Sequence, residues 1–429
     1  MTTVQIRGGR VLRPDATVDV ADVLVDRQSG TIRKVGDVPA GDEVLDAVGG
    51  LVIPGLVNAH THAAMTLFRG YADDKPLDRW LREDIWPVEA ALRAEDVAAG
   101  TELALVEMIR SGTTTFADMY FYMPEVVDAV ERAGLKARIS HGIVTVGKEE
   151  DEAREDFEEG LEVATDYDGA ANGRVRTALS PHSLTTVSES LLEEFVPLAR
   201  EAGVPLHFHA NETVDEVDPI VDERGERPLA YADSLDMLGT DDFIAHGVHL
   251  DDEEIELLAE RETSVIHCPA SNMKLASGMA PVERLLDAGV GVALGTDGPA
   301  SNNDLDVFDE MRDAAMIGKL AADDASAVPA ETVVRMATEG GNRALGFDGG
   351  RIEAGAAADL AVVDFDAPRM TPVHDYVSHL AYAATGADVR HTMVDGRVLL
   401  RDREVTTLDV DAVRERAADR AAALVERAE

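Results

Sequence analysis

The chain has 429 residues, of which 45% are hydrophobic and 4% aromatic, so it can bury a large core in one big domain or in two to three ordinary ones. It carries 83 acidic against 39 basic residues, a formal net charge of −44, and therefore lacks the basic surface that nucleic-acid binding requires. The single cysteine, Cys268, excludes a disulfide scaffold, and no apolar run approaches the ~20 residues of a membrane span. With no apolar stretch after a basic start, a secretory signal is not expected, and we predict a cytoplasmic protein.

Lysine is rare: only six of the 39 basic residues are lysines. Acidic, lysine-poor surfaces suit concentrated salt, because at roughly 1 M salt the Debye length is about 3 Å and self-repulsion is largely screened. The composition thus predicts a halophilic protein. An acidic face that binds a partner is the alternative.

Short strands separated by turns are predicted at both ends of the chain. The first 55 residues contain VQIRGGRVL, VDVADVLVD and TIRKVGDV, and the region after Gly350 contains ADLAVVDF and VRHTMVDGRVLLRD. Asp395 and Gly396 mark a hairpin turn in the last segment. We predict that residues 1–55 and 345–429 form one β-sandwich domain, which ends in an amphipathic helix over 410–429.

Residues 56–344 alternate between short apolar strands and longer helical segments, a pattern typical of a parallel α/β fold. Eight strands are predicted: GLVNAH, TTTFADM, ARISHGI, RVRTALSPH, PLHFHAN, FIAHGVH, TSVIHC and GVALGTD. Eight such units predict a (β/α)₈ catalytic barrel. The acidic stretch 148–168 is predicted to be a solvent-exposed helix.

Histidines close most of the predicted barrel strands, and an aspartate closes the last one. They are His60, His62, His141, His182, His209, His246, His267 and Asp297. Since the C-terminal ends of the strands form one rim of a (β/α)₈ barrel, where active sites are found, these side chains are expected to converge.

The His60-Thr61-His62 sequence is the sharpest local motif. Residues i and i+2 of a strand point to the same face, so the two imidazoles can bind one divalent ion. With His209 and Asp297 they would leave a position open for hydroxide. The fourth strand has no lysine to carry a bridging carbamate, which favours one metal: zinc first, with iron and manganese as alternatives.

A glutamate near these ligands, and the ligand Asp297 itself, could move protons. Glu212, three residues after His209, can carry a proton from a water molecule to the substrate, and Asp297 can take the proton of that water. His246 could polarise the same oxygen or act as another ligand, and the sequence leaves both roles open.

Longer motifs extend these short ones through most of the chain. They are PGLVNAHTHAAMTLFRGYADD, WPVEA, FADMYF, SPHS, HANET, AHGVHL, HCPASNMKLASGMAPV and LGTDGPASNNDLD. The chain resembles the amidohydrolase superfamily, and most closely its 5′-methylthioadenosine/S-adenosylhomocysteine deaminases. The resemblance implies a metal-bearing barrel with a β-sandwich from both termini. It also implies hydrolytic deamination of an adenosine-type nucleoside (5′-methylthioadenosine, S-adenosylhomocysteine, 5′-deoxyadenosine or adenosine) to its inosine analogue and ammonia.

The resemblance also implies roles for individual residues. His60, His62, His209 and Asp297 match the metal ligands of the family. Glu212 would protonate a ring nitrogen of the purine, while His246 and Asp297 would hold the attacking oxygen.

Four substrate contacts follow from the same resemblance. Glu89 matches a residue that binds the ribose hydroxyls, and His182 one that contacts the base or sugar. Ser301 lies where a purine contact is expected. Arg154 corresponds to an arginine that binds the amino-acid tail of S-adenosylhomocysteine.

One position departs from the family pattern. Where close relatives carry a second tail-binding arginine at the end of the third strand, this chain has His141. A neutral imidazole is a much weaker clamp for a carboxylate than a bidentate guanidinium. We therefore expect preference to shift toward adenosine derivatives without a carboxylate.

Other functions remain as alternatives at this point. A guanine or cytosine deaminase or a triazine chlorohydrolase would share the ligands and the glutamate, and a non-catalytic relative could keep the barrel as a binding module. The expected partner is a small purine nucleoside. Nucleic acid and membrane are not expected, and assembly as a homo-oligomer is left open.

Overall fold

The computed structural model describes residues 2–429. Seven strands precede the barrel: β1 (Thr3–Arg7), β2 (Arg10–Leu12), β3 (Val18–Val20), β4 (Asp22–Asp26), β5 (Thr31–Gly36), β6 (Glu43–Asp46) and β7 (Gly50–Pro54). Nine short parallel strands follow: β8 (Leu56–Thr61), β9 (Thr113–Tyr120), β10 (Lys136–Ile143), β11 (Val175–Thr177), β12 (Ser180–Pro181), β13 (His207–Ala210), β14 (Phe243–His246), β15 (Ser264–His267) and β16 (Val292–Leu294). The last four are β17 (Leu360–Asp364), β18 (Val389–Val394), β19 (Arg397–Arg401) and β20 (Glu404–Val405).

Helices fill most of the connections between these strands. The α-helices are α1 (Leu77–Trp80), α2 (Trp86–Glu89), α3 (Ala94–Arg110), α4 (Met123–Ala133), α5 (Glu150–Asp166), α6 (Ala170–Gly173), α7 (Glu189–Ala202), α8 (Val214–Arg224), α9 (Pro228–Ser234), α10 (Asp252–Arg261), α11 (Pro269–Lys274), α12 (Val282–Asp287), α13 (Val307–Ala322), α14 (Ala330–Arg335), α15 (Gly341–Ala344), α16 (Tyr376–Tyr382) and α17 (Val410–Ala428). Short 3₁₀ segments span Ala63–Phe68, Pro368–Met370 and Gly386–Asp388, and π-helical turns span Leu81–Ile85 and Met336–Gly340. No helix within residues 2–429 combines the length and apolar character needed to cross a membrane.

Strands from both ends of the chain form two sheets beside the barrel. One has the order β5-β4-β1-β6, and the other the order β20-β19-β18-β17-β7-β2-β3. In the second sheet β7 pairs antiparallel with β17, so that Val52 lies opposite Val362. The buried faces enclose their own apolar core, in which Val4 and Met393 are buried. On this pairing we propose the division into a sandwich (1–55 with 345–429) and a barrel (56–344).

All eight predicted barrel strands are present and run parallel. They form the ladders β8-β9-β10-β11 and β13-β14-β15-β16, while the fourth predicted strand is split into β11 and β12. A parallel bridge between Ser183 and His209 links the region after β12 to β13. The amide of Asp297 donates to the carbonyl of His60 at 3.0 Å, which joins the end of β16 to β8. The fold confirms the (β/α)₈ prediction.

The predicted acidic helix corresponds to α5. Its buried residues recur every three or four positions, as in an amphipathic surface helix: Ala153, Phe157, Gly160, Val163 and Ala164. The acidic residues of its first turn lie at its N-terminus, where the helix dipole favours negative charge. The helix therefore shields β10 from solvent while its acidic side faces water.

Candidate active site

Four predicted ligands meet at the C-terminal ends of the barrel strands. His60 and His62 come from β8, His209 from β13, and Asp297 from the residues after β16, and one ligand atom of each lies within 4.8 Å of the others. The Nε2 atoms of His60 and His62 are 3.4 and 3.2 Å from Oδ1 of Asp297. His60 Nε2 is buried without a hydrogen-bond partner. Three imidazoles and a carboxylate around this orphaned nitrogen fit one divalent ion.

The second nitrogen of each histidine is occupied, which leaves its Nε2 for a metal. Nδ1 of His62 donates to the carbonyl of Met119 at 2.6 Å, and Nδ1 of His209 donates to the carbonyl of His182 at 2.8 Å. Nδ1 of His60 lies 2.9 Å from Nε2 of His207. Such contacts fix the tautomer and ring orientation of metal-binding histidines.

The protonation of this cluster follows from burial and from Asp297. Burial lowers the pKa of His60 to about 4 and that of His209 well below its ordinary value. Against the opposing effect of burial, the Asp297 carboxylate raises the pKa of His62 to about 9. His60 and His209 are thus neutral and able to bind a metal, and metal binding would displace the extra proton of His62.

Asp297 is oriented by two hydroxyl groups. Ser271 donates to its Oδ2 at 2.7 Å and Ser301 donates to the same oxygen at 2.5 Å. The other carboxylate oxygen consequently faces His60 and His62. The structure thus places the Ser301 hydroxyl on a predicted metal ligand, whereas the sequence suggested a contact with the purine.

Glu212 and His246 lie side by side next to this cluster. Oε2 of Glu212 is 3.6 Å from Nε2 of His246, and Ser277 donates to Oε1 of Glu212 at 3.0 Å. Nδ1 of His246 is 2.9 Å from Oδ1 of Asn272, so this nitrogen carries the hydrogen. Burial raises the pKa of Glu212. His246 is absent from the four-residue ligand cluster, which favours the oxygen-polarising role over ligation.

Three residues at these strand ends adopt left-handed backbone conformations. The φ angles are +55° at Asn211, +74° at His246 and +58° at Asp297. Such conformations cost of order 1–3 kcal/mol each in residues other than glycine and cluster at functional sites. His246 and Asp297, two of these three residues, carry side chains that lie at the ligand cluster in the mouth of the barrel.

Two of the predicted substrate contacts border the same site. The His182 ring lies 4.5 Å from the His209 ring, and burial lowers the pKa of His182 to about 3. Glu89 accepts a hydrogen bond from Tyr120 at 2.8 Å, and the Tyr120 ring lies 6.3 Å from that of His62. Desolvation raises the pKa of Glu89 to about 7.

The end of the third barrel strand is acidic. Nε2 of His141 is 3.0 Å from Asp156, and its Nδ1 is 3.7 Å from Glu159. Asp156 and Glu159 belong to helix α5. Arg154, on that helix, forms two hydrogen bonds of 2.6 and 2.7 Å with Glu194. The guanidinium predicted to bind a substrate tail therefore already has a carboxylate partner.

Several supporting residues were not among the predicted site residues. Ser271 and Asn272 belong to α11, directly after β15, and only the fold reveals that they bind Asp297 and His246. Asp118, on β9, accepts from the amide of Ala63 at 2.8 Å and so fixes the segment after His62. The position of Asp118 near the end of a barrel strand is the only sequence signal that could have revealed it.

Comparison with known proteins identifies the family of this chain. The family model described as "Amidohydrolase family" matches residues 51–399. The chain belongs to the amidohydrolase family. A 5-methylthioadenosine/S-adenosylhomocysteine deaminase from Natronomonas pharaonis is 68% identical to this amidohydrolase over 100% of both chains. A 5′-deoxyadenosine deaminase from Methanosarcina mazei is 46% identical over 100% of this chain and 99% of its own.

A solved structure resembles this amidohydrolase over nearly its full length. The adenosine deaminase from Xanthomonas campestris, described with bound zinc, superposes with a TM-score of 0.93 and is 38% identical, covering 99% of this chain and 98% of that one. Amidohydrolases use divalent metals, and the buried three-histidine, one-aspartate cluster is suited to that chemistry.

Proposed function

We propose that this amidohydrolase deaminates an adenosine-type nucleoside by hydrolysis, releasing the inosine analogue and ammonia. The observation that carries the proposal is the meeting of two sets of residues in one barrel mouth: the four-ligand cluster, and Glu212 beside His246. Deaminases of adenosine-type nucleosides among the relatives support the same reaction. A non-catalytic barrel would have no need for a buried proton donor next to a metal site.

His60, His62, His209 and Asp297 would hold the metal, which we propose is zinc. When bound, zinc supplies a Lewis acid that makes water a nucleophile at neutral pH. The zinc named for the solved relative supports this choice. The chain itself fixes the ligands through their second nitrogens and through the two serines on Asp297.

The remaining chemistry is proton transfer by this chain's own side chains. Because burial raises the pKa of Glu212, its carboxyl can keep a proton and deliver it to a ring nitrogen of the purine. His60 and His62 hold the pKa of Asp297 well below its usual range despite burial, which keeps Asp297 ionised. We propose that this carboxylate, which lies within the ligand cluster, accepts the proton of water. Because Nδ1 of His246 donates to Asn272, its Nε2 is an acceptor and would hold the attacking water by accepting one of its hydrogens. Glu89 and His182 would contact the ribose and base.

We further infer that substrates without a carboxylate tail are preferred. His141 faces Asp156 and Glu159, and Arg154 is paired with Glu194, so both groups expected near the tail are already bound to carboxylates. An anionic tail would meet like charges there. 5′-Methylthioadenosine, 5′-deoxyadenosine and adenosine are therefore the preferred substrates over S-adenosylhomocysteine.

Zinc analysis together with an ammonia-release assay on purine nucleosides with different 5′ groups tests the proposal. We expect about one zinc per chain and a higher kcat/KM for 5′-methylthioadenosine than for S-adenosylhomocysteine. The Glu212→Gln variant should keep its zinc and lose at least about 100-fold in kcat, the usual contribution of a general acid. Absence of ammonia from every nucleoside would refute the proposed reaction, and a clear preference for S-adenosylhomocysteine would refute the inferred substrate choice.

A further inference from the structure

A second buried carboxyl group lies directly behind Glu212. Glu216, in the first turn of α8, accepts a hydrogen bond from the backbone N–H of Glu212 through Oε2 at 2.8 Å. Glu216 is only 9% exposed. The other oxygen of its carboxyl group, Oε1, is buried without a hydrogen-bond partner among residues 2–429. Burying a carboxyl group with so few partners is costly. A cost of this kind at an active site calls for a compensating role.

The backbone that Glu216 contacts is the one that aims Glu212. Asn211 has a φ of +55°, and its carbonyl accepts from the amides of Val248 and His249 at 3.0 and 2.8 Å. Its side-chain amide donates to Glu254 at 2.9 Å. The side chain of Asn211 and the carbonyl end of the Asn211–Glu212 peptide are therefore both held.

The contact from Glu216 holds the opposite end of the same peptide unit, because the Asn211 carbonyl and the Glu212 N–H lie in one plane. Together with the two bonds to the Asn211 carbonyl, it fixes the peptide plane from which the side chain of Glu212 leaves the backbone. The side chain then reaches Ser277 at 3.0 Å and His246 at 3.6 Å. A rotation of this peptide plane would move the carboxyl group of Glu212 away from both.

We propose that Glu216 is a positioning residue for the proton transfer by Glu212: it holds the Glu212 amide and thereby sets the direction of the catalytic carboxyl group. The inference rests on the proposed function, since it takes Glu212 as the group that transfers the proton. Among residues 2–429, the hydrogen-bond partner of the Glu216 side chain is the Glu212 amide, and none of the four predicted metal ligands is bonded to it. The contribution of Glu216 is to place the carboxyl oxygen of Glu212 that transfers the proton.

The charge state of Glu216 is consistent with this role. Burial is the main cause that raises the pKa of Glu216 to about 8, and the nearby Glu212 and Glu254 add to the effect. At neutral pH it is therefore a neutral acid that does not repel Glu212. Glutamine has the same length and a carbonyl oxygen in the same place, so it can replace a neutral acid that acts only as an acceptor.

Two conservative substitutions separate geometry from ionisation. Glu216→Gln keeps the reach of the acceptor, whereas Glu216→Asp keeps the carboxyl group but withdraws it by one methylene. We expect kcat of Glu216→Gln within about threefold of the original protein, and kcat of Glu216→Asp lower by about 10-fold or more, because a displacement near 1 Å is costly in catalysis. KM and zinc content should change by less than about threefold in both variants. Glu223→Gln, an exposed position on the same helix, is the matched control and should change nothing.

The experiment measures kcat, KM, zinc content and thermal unfolding of the zinc-loaded full chain with 5′-methylthioadenosine and adenosine. Equal kcat values for the two Glu216 variants would overturn the proposal, as would a larger loss in Glu216→Gln, which would indicate an ionising role. A loss in Glu216→Asp that is accounted for by lost zinc or early unfolding would indicate a purely structural role and would also overturn it. No ammonia release by the unsubstituted protein would instead refute the proposed function, and with it the role of Glu212.

Discussion

His60 and His207 share a hydrogen bond, with Nδ1 of His60 2.9 Å from Nε2 of His207. When Nε2 of His60 is left to a metal, its hydrogen would lie on Nδ1 and be donated to His207. Burial lowers the pKa of His207 well below its ordinary value, so His207 stays neutral and can accept. Its ring stacks on Phe243 with centroids 4.2 Å apart, which fixes the acceptor in place. His207 therefore decides which nitrogen His60 offers to a metal.

Replacement of His207 by phenylalanine removes the acceptor while keeping an aromatic ring against Phe243. We expect zinc affinity to fall by about 10–100-fold, the usual effect of losing a partner behind a metal ligand. Competition with a chromophoric chelator measures this affinity directly. His374→Phe, at an exposed histidine, is the control. Unchanged zinc affinity in His207→Phe would contradict the orienting role.

Ser301 offers a test that distinguishes support of Asp297 from contact with the purine. Its hydroxyl donates to Oδ2 of Asp297 at 2.5 Å, beside the 2.7 Å bond from Ser271. A hydrogen bond to a charged group contributes about 1.5–3 kcal/mol, so Ser301→Ala should lower kcat by about 10-fold or more with little change in KM. Ser271→Ala should behave alike, and the double variant should deviate from additivity. A rise in KM alone in Ser301→Ala would instead favour the contact with the purine.

The functional residues at the C-terminal ends of the barrel strands could be predicted from the sequence, but the hydrogen-bond partners of their side chains could not. His60, His62, His209 and Asp297 could be predicted because parallel strands present their C-terminal ends at one rim, whatever the exact packing. The direction of Ser301 depends on the left-handed turn at Asp297, which no local pattern signals.

Ion-pair partners that lie far apart in the sequence could not be predicted for a related reason. Arg154 meets Glu194 on a different helix, 40 residues away, and this pairing depends on how α5 and α7 pack. The split of the fourth strand into β11 and β12 was also missed, since nothing in the sequence RVRTALSPH marks Ala178 and Leu179 as the place where the strand is interrupted.

A buried ion pair connects the start of the third barrel strand to the C-terminal sheet region. Nζ of Lys136 is 2.7 Å from both Asp359 and Asp395, and the Asp359 side chain is only 2% exposed. Lys136→Met would leave the Asp359 carboxylate buried without its cation, and we expect the free energy of unfolding to fall by about 3–5 kcal/mol. Denaturant unfolding at fixed KCl concentration measures the change.

Two further variants check the assignment to the ion pair. Adding Asp359→Asn to Lys136→Met should recover part of the loss, because the uncompensated charge is removed. Lys34→Met, at an exposed lysine of β5, should change stability by less than about 0.5 kcal/mol. If Lys136→Met were no less stable than Lys34→Met, the ion pair of Lys136 with Asp359 would contribute nothing to the stability of the protein.

The net charge of −44 predicts that the folded protein needs salt. In dilute buffer the exposed carboxylates repel one another across the compact surface more strongly than in the expanded chain, whereas at about 1 M salt the Debye length of about 3 Å confines each charge to its neighbours. We expect the Tm measured by calorimetry to rise between 0.1 M and about 2 M KCl. Replacing the exposed Glu152, Glu155 and Glu162 of α5 by lysine should raise the Tm mainly at low salt. The difference between the Tm values at low and high salt should therefore become smaller. Equal Tm values at both salt concentrations would show that the acidic surface serves some purpose other than salt adaptation.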